Sequence, residues 1–159
     1  MAVYFWDSNG IAKIYHPEIG TAIALQLFNT HDAVHYISRL STLEVVSIFT
    51  KKLRMKIIGM QDFNQVNRRL GEDIRLRKWR VIKFQSSYFD RARMLVRKYG
   101  KQYSLRTLDS LQLAVSLFLR DKVTIKNFIA SDKILNKIVE MEGISVLDPE
   151  ELERQQISP

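Results

Sequence analysis

The chain has 159 residues, no cysteine and a formal net charge of +8. This length fits one ordinary domain, and 46% hydrophobic residues are enough to build a core. The lack of cysteine excludes disulfides, thiolate zinc sites and thiol catalysis. The longest strongly apolar stretch, 111–119, is too short to span a membrane, and the first residues do not resemble a signal peptide. We therefore expect a cytoplasmic protein without a membrane partner.

The positive charge is concentrated in the middle of the chain. Residues 51–106 carry seventeen basic and four acidic side chains, whereas both flanking segments are net acidic. A basic segment between acidic flanks favours a polyanionic partner such as nucleic acid. A solvated helix face rich in lysine and arginine explains the same composition, so charge alone leaves both interpretations open.

Hydrophobic periodicity predicts an alternation of strands and helices. The first half is predicted to contain, in chain order, a strand at 3–6, a short helix to Tyr15, a helix at 18–29, a strand at 33–37, a helix at 41–55 opened by a capping box, and a helix near 60–74. The second half is predicted to contain a strand at 81–84, a helix at 87–100, a helix at 107–119 capped by Thr107, a strand at 127–130, a helix from Ser131 to about 143, and a strand at 144–147. Such alternation predicts one domain over 1–148, with a parallel sheet covered on both faces, and a polar C-terminal tail at 149–159.

Four acidic residues stand at special places in this predicted topology. Asp7 ends the first strand and Asp132 follows the fourth, while Glu44 and Asp109 lie near the starts of two helices. Ligands bind open α/β sheets outside the carboxyl ends of the strands, so these carboxylates are expected to meet at one edge. Their mutual repulsion calls for a cation, and one or two Mg²⁺ or Mn²⁺ ions suit an all-oxygen site. Helix capping explains each acid taken singly.

Four sequence blocks resemble the PIN domain family, in order and over nearly the whole chain. They are YFWDSNGIAKIYHPE, ISRLSTLEVVSIFTKK, SLRTLDSLQLAVSL and FIASDKILNKIVEMEGISVLDP. The compact length is similar to that of the VapC-like toxin branch of type II toxin–antitoxin systems. Ala130, where many members carry threonine or serine, departs from the family pattern.

The resemblance implies a three-layer α/β/α fold with a central parallel sheet of four or five strands. It also implies a Mg²⁺- or Mn²⁺-dependent endoribonuclease that cleaves RNA phosphodiester bonds, pairs with a small antitoxin and forms a homodimer. The catalytic and metal-binding residues would be Asp7, Glu44, Asp109 and Asp132. The alternative is a PIN-like module that binds RNA or protein without cleaving it. A DNA-directed nuclease of related fold ranks lower, because the small chain leaves little room for helical arches.

Several neighbours of the four acids are candidates for supporting roles. Residues that can orient the carboxylates or waters are Ser8, Asn9, Thr107 and Ser131, although helix capping explains them equally well. Residues that can hold RNA phosphates are Lys13, Arg39, Arg106 and Lys133, although exposed surface charge explains each of them too. The three histidines, His16, His31 and His35, share no metal-ligand or triad spacing, and we expect them in loops or on the surface.

Overall fold

The computed structural model describes residues 1–157, within which there are five strands and eight helices. The elements are β1 (Ala2–Trp6), α1 (Ser8–Tyr15), α2 (Thr21–Phe28), β2 (Ala33–Ser38), α3 (Arg39–Arg54), α4 (Met60–Arg75), β3 (Trp79–Ile82), α5 (Ser87–Tyr103), α6 (Thr107–Arg120), β4 (Asn127–Ile129), α7 (Lys133–Met141), β5 (Val146–Leu147) and α8 (Pro149–Ile157). None of the helices in this part of the chain is long and apolar enough to cross a membrane.

The five strands form one parallel sheet in the order β3-β2-β1-β4-β5. The chain moves outward on one side of β1 and then crosses back to the other side, so β1 is the central strand and lies between β2 and β4. This confirms the predicted three-layer α/β/α fold, and the central parallel sheet, predicted to have four or five strands, has five. Because all strands run the same way, their carboxyl ends lie at one edge, which positions the acidic residues described below.

Each face of the sheet carries its own hydrophobic core. On one face Phe5 stacks on Phe128, with 5.3 Å between ring centroids, against α5, α6 and α7. On the other face Trp6 meets Trp79 edge to face, at 5.4 Å, beneath α1 to α4. Successive side chains of β1 point to opposite faces, so Phe5 packs in one core and Trp6 in the other. This explains why the strand is an uninterrupted apolar run.

Some predicted boundaries are wrong. The third strand was expected at 81–84, but it begins at Trp79, opposite His35 of β2, and leaves Phe84 half exposed beyond its end. The helix predicted to open with a capping box at 41–44 begins at Arg39, because the Ser38 hydroxyl accepts a hydrogen bond from the Ser41 amide and caps it there. These shifts follow from strand register and capping, which local patterns specify weakly.

The segment predicted to be a polar tail is helical over Pro149–Ile157 and packs against α2. Gly20 adopts a left-handed conformation with φ of 89°, and a Cβ there would lie 2.9 Å from the Glu150 amide nitrogen. Lys13, only 2% exposed, forms ion pairs with Glu18 at 3.0 Å and with Glu150 at 2.7 Å. The helix is thus held by close backbone packing and by a buried cation between two acids.

His35 contradicts the expectation that all three histidines lie in loops or on the surface. It is buried in β2, where its Nδ1 accepts a hydrogen bond from Trp6 Nε1 at 3.1 Å and its ring stacks on Tyr4. Burial lowers the pKa of His35 from 6.5 to about 4. The neutral imidazole is therefore part of the folded state, because a proton on Nδ1 would face the Trp6 donor.

The stability of the fold should consequently depend on His35 in mildly acidic solution. Above pH 6.5 the ring is neutral whether folded or unfolded, whereas from pH 6.5 down to about 4 only the unfolded chain takes up the proton. We expect the contribution of His35 to the free energy of unfolding to fall by about 3 kcal/mol over this window, as the difference between wild type and a variant without the imidazole. Urea denaturation of wild type and His35→Gln between pH 7.5 and 4 measures this, and the variant should lack that part of the loss. His31→Gln, at an exposed position, is the control, and an equal slope in all three proteins would contradict the assignment.

Candidate active site

Asp7 lies at the carboxyl end of β1, where the strand turns into α1. Its backbone amide donates to the carbonyl of Ile129 in β4, and its carboxylate accepts from the Asn9 amide at 3.4 Å, capping α1. The residue is only 4% exposed. The capping interpretation is therefore correct geometrically, but the backbone amides of Ser8 and Asn9 leave part of the acceptor capacity of the carboxylate unused.

Glu44 approaches Asp7 from the second turn of α3. Its carboxylate accepts a hydrogen bond from Nε2 of Gln112, a residue of α6 that is fully buried. The side chain of Glu44 is half buried. The carboxylate therefore lies between the amino-terminal parts of α1, α3 and α6.

Asp109 and Asp132 are joined by a cation from the chain itself. Arg106 Nε lies 3.0 Å from Asp109, and a terminal nitrogen of the same guanidinium lies 2.6 Å from Asp132. The second oxygen of Asp132 caps α7 by accepting from the Ile134 and Leu135 amides, both at 2.9 Å. Asp132, and not Ser131 as predicted, is thus the cap of this helix.

These residues surround an open cleft of about 340 Å³ at the edge of the sheet. The cleft is lined by Asp7, Ser8, Asn9, Glu44, Ser47, Ile48, Arg106, Thr107, Leu108 and Asp109. Three of the four predicted carboxylates therefore share one cavity. Asp132 is not part of the lining and is connected to the cleft through Arg106.

Crowding and burial act on the carboxylates of the cleft. The pKa of Asp7 is raised to about 7, mainly by burial and then by the charge of Glu44. The pKa of Glu44 is raised by burial and by Asp109, although the Gln112 hydrogen bond opposes the shift. The pKa of Asp109 is raised by burial and by Asp132, against the influence of Arg106. The negative charge of each carboxylate thus raises the pKa of a neighbouring one. Such mutual repulsion is expected at a site that binds a cation.

The donor set suits a hard divalent cation, because every ligand on offer is a carboxylate oxygen. Within residues 1–157 no three His, Cys, Asp or Glu side chains are arranged closely enough to hold a metal ion. Donors of the chain itself engage all four carboxylates: Asn9 engages Asp7, Gln112 engages Glu44, and Arg106 engages both Asp109 and Asp132. The carboxylate oxygens fit Mg²⁺ or Mn²⁺ by their chemistry. To bind such an ion, Asp109 and Asp132 must first release the guanidinium of Arg106.

The predicted supporting residues are placed unequally. Ser8, Asn9 and Thr107 line the cleft, whereas the buried Ser131 hydroxyl has no hydrogen-bond partner among the described residues. Among the predicted phosphate-binding residues, Arg106 is at the cleft.

The other three basic residues predicted to hold phosphates lie outside the cleft. Arg39 is exposed at the first turn of α3. Lys133 lines a separate groove with Lys137. Lys13 contradicts the prediction that it binds phosphate, because its ammonium group is buried between Glu18 and Glu150 and is not accessible.

Sequence reasoning missed the polar residues that stand behind the cleft. Ser38, Ser41 and Gln112 form a buried hydrogen-bonded cluster that reaches Glu44. A signal was present, since Gln112 interrupts an apolar helix three residues after Asp109, which places both on one face. A glutamine on the buried face of a helix needs partners, and the end of β2 and the start of α3 supply them.

The architecture and cleft define a class of protein: a three-layer α/β/α domain with a carboxylate-lined cavity at the carboxyl edge of a parallel sheet. The family model for the PIN domain matches residues 4–140. The chain therefore belongs to the PIN domain family. No curated protein gives a significant match.

Solved structures with the same fold include toxins and toxin–antitoxin complexes. VapC20 of Mycobacterium tuberculosis, described as a sarcin-ricin loop cleaving toxin, has a TM-score of 0.62 at 18% identity, covering 89% of this chain and 95% of its own. A toxin–antitoxin complex from Klebsiella pneumoniae has a TM-score of 0.56 at 18% identity, with coverages of 94% and 98%. VapBC2 of Rickettsia felis, solved with a DNA fragment from its promoter, has a TM-score of 0.54 at 15% identity, with coverages of 92% and 98%. At such identities the similarity establishes a shared fold.

Proposed function

We propose that this protein is a Mg²⁺- or Mn²⁺-dependent endoribonuclease and the toxin of a toxin–antitoxin pair. The observation that carries the proposal is the convergence of Asp7, Glu44 and Asp109 on one open cleft of a PIN domain, with raised pKa values. Repulsion within such an acidic cluster destabilises the fold, and a bound divalent metal ion would neutralise that repulsion and support catalysis. The likeness in fold to VapC20, described as a sarcin-ricin loop cleaving toxin, supports the same conclusion.

Asp7, Glu44, Asp109 and Asp132 would hold one or two ions, with Asp7 and Asp109 as the principal ligands. When bound, a divalent ion lowers the pKa of a water and stabilises charge on a phosphodiester. The carboxylate of Glu44 is held near Asp7 and can bind the ion or orient the attacking water. The hydroxyl and amide groups of Ser8, Asn9 and Thr107 line the cleft and can hold waters beside the carboxylates.

The substrate is RNA, and the basic residues around the cleft would bind its phosphates. Arg106 lines the cleft and its side chain is 69% exposed, so it can turn toward a phosphate once it leaves Asp109. Arg39 and Lys133 are exposed on neighbouring elements and can extend this contact. The segment 51–106, with seventeen basic side chains, supplies long-range attraction for a polyanion. An RNA substrate also implies a cytoplasmic setting.

Cleavage of defined substrates tests this proposal against the alternatives. The purified protein is incubated with a labelled single-stranded RNA, a structured RNA hairpin and a DNA of the same sequence, each with EDTA, Mg²⁺ or Mn²⁺. We expect RNA cleavage that saturates with metal and is absent in EDTA. Binding of RNA without cleavage under every condition would favour the non-catalytic module, and preferential cleavage of DNA would favour a DNA-directed nuclease.

The partners would be a small antitoxin and a second copy of this chain. Solved relatives in fold include toxin–antitoxin complexes, which supports the first of these. Arg106 indicates how such a partner would inhibit the enzyme, because a guanidinium already neutralises Asp109 and Asp132 within the chain. An antitoxin that inserts arginine or lysine into the cleft would replace the charge of the metal in the same way. Co-purification with the product of a neighbouring reading frame, and light scattering of the isolated chain, test the two partners.

Replacement of Arg106 should separate metal binding from RNA binding. Arg106→Gln removes the cation that competes for Asp109 and Asp132, so Mn²⁺ should bind roughly five- to tenfold more tightly, equivalent to about 1 kcal/mol. The same change removes a phosphate contact, so RNA affinity should decrease. Isothermal titration with Mn²⁺ and filter binding with RNA in EDTA measure the two effects. Arg39→Gln, which removes an equal charge outside the cleft, should leave Mn²⁺ affinity unchanged. Weaker Mn²⁺ binding in Arg106→Gln would contradict the competition.

A further inference from the structure

A buried amide lies directly behind one of the cleft carboxylates. Gln112 of α6 is 0% exposed, and both polar atoms of its side chain have partners. Its Oε1 accepts hydrogen bonds from the Ser38 hydroxyl at 2.7 Å and from the Ser41 hydroxyl at 3.1 Å. Its Nε2 lies 2.8 Å from the Ser41 hydroxyl oxygen and donates to the Glu44 carboxylate. The amide is therefore fully satisfied in a place where an unsatisfied one would be costly.

The partners fix the orientation of this amide. The Ser38 hydroxyl oxygen accepts from the Ser41 amide and its proton is donated to Oε1, so Nε2 faces the oxygens of Glu44. A flipped amide would place Oε1 against the Glu44 oxygen and leave the Ser38 hydroxyl with only the Ser41 hydroxyl, 3.0 Å away, as an acceptor. Ser38 is itself fixed, because it ends β2 and caps α3 through the Ser41 amide. Ser38 at the end of β2 thus orients the Gln112 amide, and this amide in turn orients the Glu44 carboxylate.

We propose that Gln112 is a positioning residue that holds the Glu44 carboxylate directed into the cleft for divalent-metal binding. The inference rests on the proposed function, and it adds a residue of the apolar helix α6 to the machinery of the site. Glu44 is only half buried and has three side-chain torsions, and its other hydrogen-bond donor is the Ser8 hydroxyl of the cleft. Without Gln112 its carboxylate would therefore sample more orientations. Residues that orient a ligand carboxylate commonly change metal affinity by ten- to a hundredfold.

Metal affinity of the full chain without RNA tests the inference directly. Gln112→Met keeps the length and volume of the side chain but removes the donated hydrogen bond. We expect Mn²⁺, titrated alone, to bind about tenfold more weakly to this variant than to wild type. Ser116→Ala is the matched control, because Ser116 lies one turn further along α6, is equally buried and donates only to the Leu113 carbonyl of its own helix. Its Mn²⁺ affinity should equal that of wild type.

A double-mutant cycle distinguishes positioning from general loosening of the core. If Gln112 acts through Glu44, the tenfold effect of Gln112→Met should shrink to less than about twofold in a Glu44→Gln background. A structural role alone would weaken binding equally in both backgrounds. Equal losses in the two backgrounds, or wild-type affinity in a folded Gln112→Met, would overturn the inference while leaving the metal site intact.

Two further outcomes complete the test. If Gln112→Met does not fold, as judged by circular dichroism, Ser41→Ala takes its place, since it removes one contact from each end of the amide. It should weaken Mn²⁺ binding in the same direction, and unchanged affinity would reject the positioning role. If wild type itself binds no Mn²⁺, the proposed metal-dependent function fails, and the inference fails with it.

Discussion

Asp109→Asn is expected to abolish RNA cleavage while the protein remains folded. The carboxylate lies in the first turn of α6 at the cleft, where it faces the charges of Glu44 and Asp132. The amide of asparagine has nearly the same shape but carries no charge for a metal ion. We expect the cleavage rate at saturating Mg²⁺ to fall on the order of 10³-fold, which corresponds to about 4 kcal/mol of transition-state stabilisation. Gel analysis of a labelled RNA under single-turnover conditions measures the rate.

The matched control for this substitution lies at the other end of the same helix. Asp121 is the carboxyl-terminal cap of α6 and pairs with Arg91 at 2.8 Å, far along the helix from the cleft. Asp121→Asn should therefore retain the wild-type rate. Circular dichroism of both variants verifies that the helices are intact. A folded Asp109→Asn that cleaves RNA at the wild-type rate would contradict the proposed mechanism. Equal decreases of the cleavage rate in both variants would indicate a general effect of charge.

Asp7→Asn is expected to stabilise the metal-free protein. Burial and the charge of Glu44 raise the pKa of Asp7 to about 7, whereas an unfolded aspartate ionises near 3.8. The folded state therefore becomes less stable as the pH rises from 3.8 through 7, because only the unfolded chain ionises freely. At pH 8 in EDTA the neutral asparagine should raise the free energy of unfolding by up to about 4 kcal/mol. Urea denaturation monitored by tryptophan fluorescence measures this difference.

The same measurement with metal should give the opposite order. Saturation of the wild type with Mn²⁺ at a hundred times its dissociation constant should add about 2.7 kcal/mol of stability. Asp7→Asn should gain much less, because it has lost a ligand. Glu72→Gln on the exposed surface of α4 should show neither effect. A wild type whose stability is unaffected by EDTA, together with a destabilised Asp7→Asn, would show that the carboxylates are not crowded around a missing cation.

Arg106 reduces the repulsion among the acidic residues in the metal-free protein, through ion pairs that the sequence does not reveal. A guanidinium bound to Asp109 and Asp132 lowers their repulsion, so the metal-free protein folds with its acids close together. The cost that remains is greatest at Asp7, which no cation of the chain contacts among the described residues. Asp7 is therefore the position at which removal of charge should stabilise most.

Much of the fold follows from local sequence alone. The apolar runs that form β1, β2 and β4 and the periodic helices between them were predictable because each element buries a face, and burial imposes a period on the residues. Alternation of strands with helices then implies a parallel sheet, because parallel strands need a crossover. The order of the acidic residues at the strand ends and helix starts specified the edge at which Asp7, Glu44 and Asp109 meet.

Only the tertiary structure decided which polar groups contact which. Lys13 has a position on α1 that suggested phosphate binding, but Glu150 lies 137 residues away in sequence and pairs with it only because α8 folds back. Gln112 and Glu44 are separated by 68 residues, and Arg106 and Asp132 by 26. No local pattern encodes such pairs, because they depend on helix register and side-chain direction across the sheet. The sequence by itself determined the layers and the acidic edge, whereas folding determined which cation and which amide hold the acids in place.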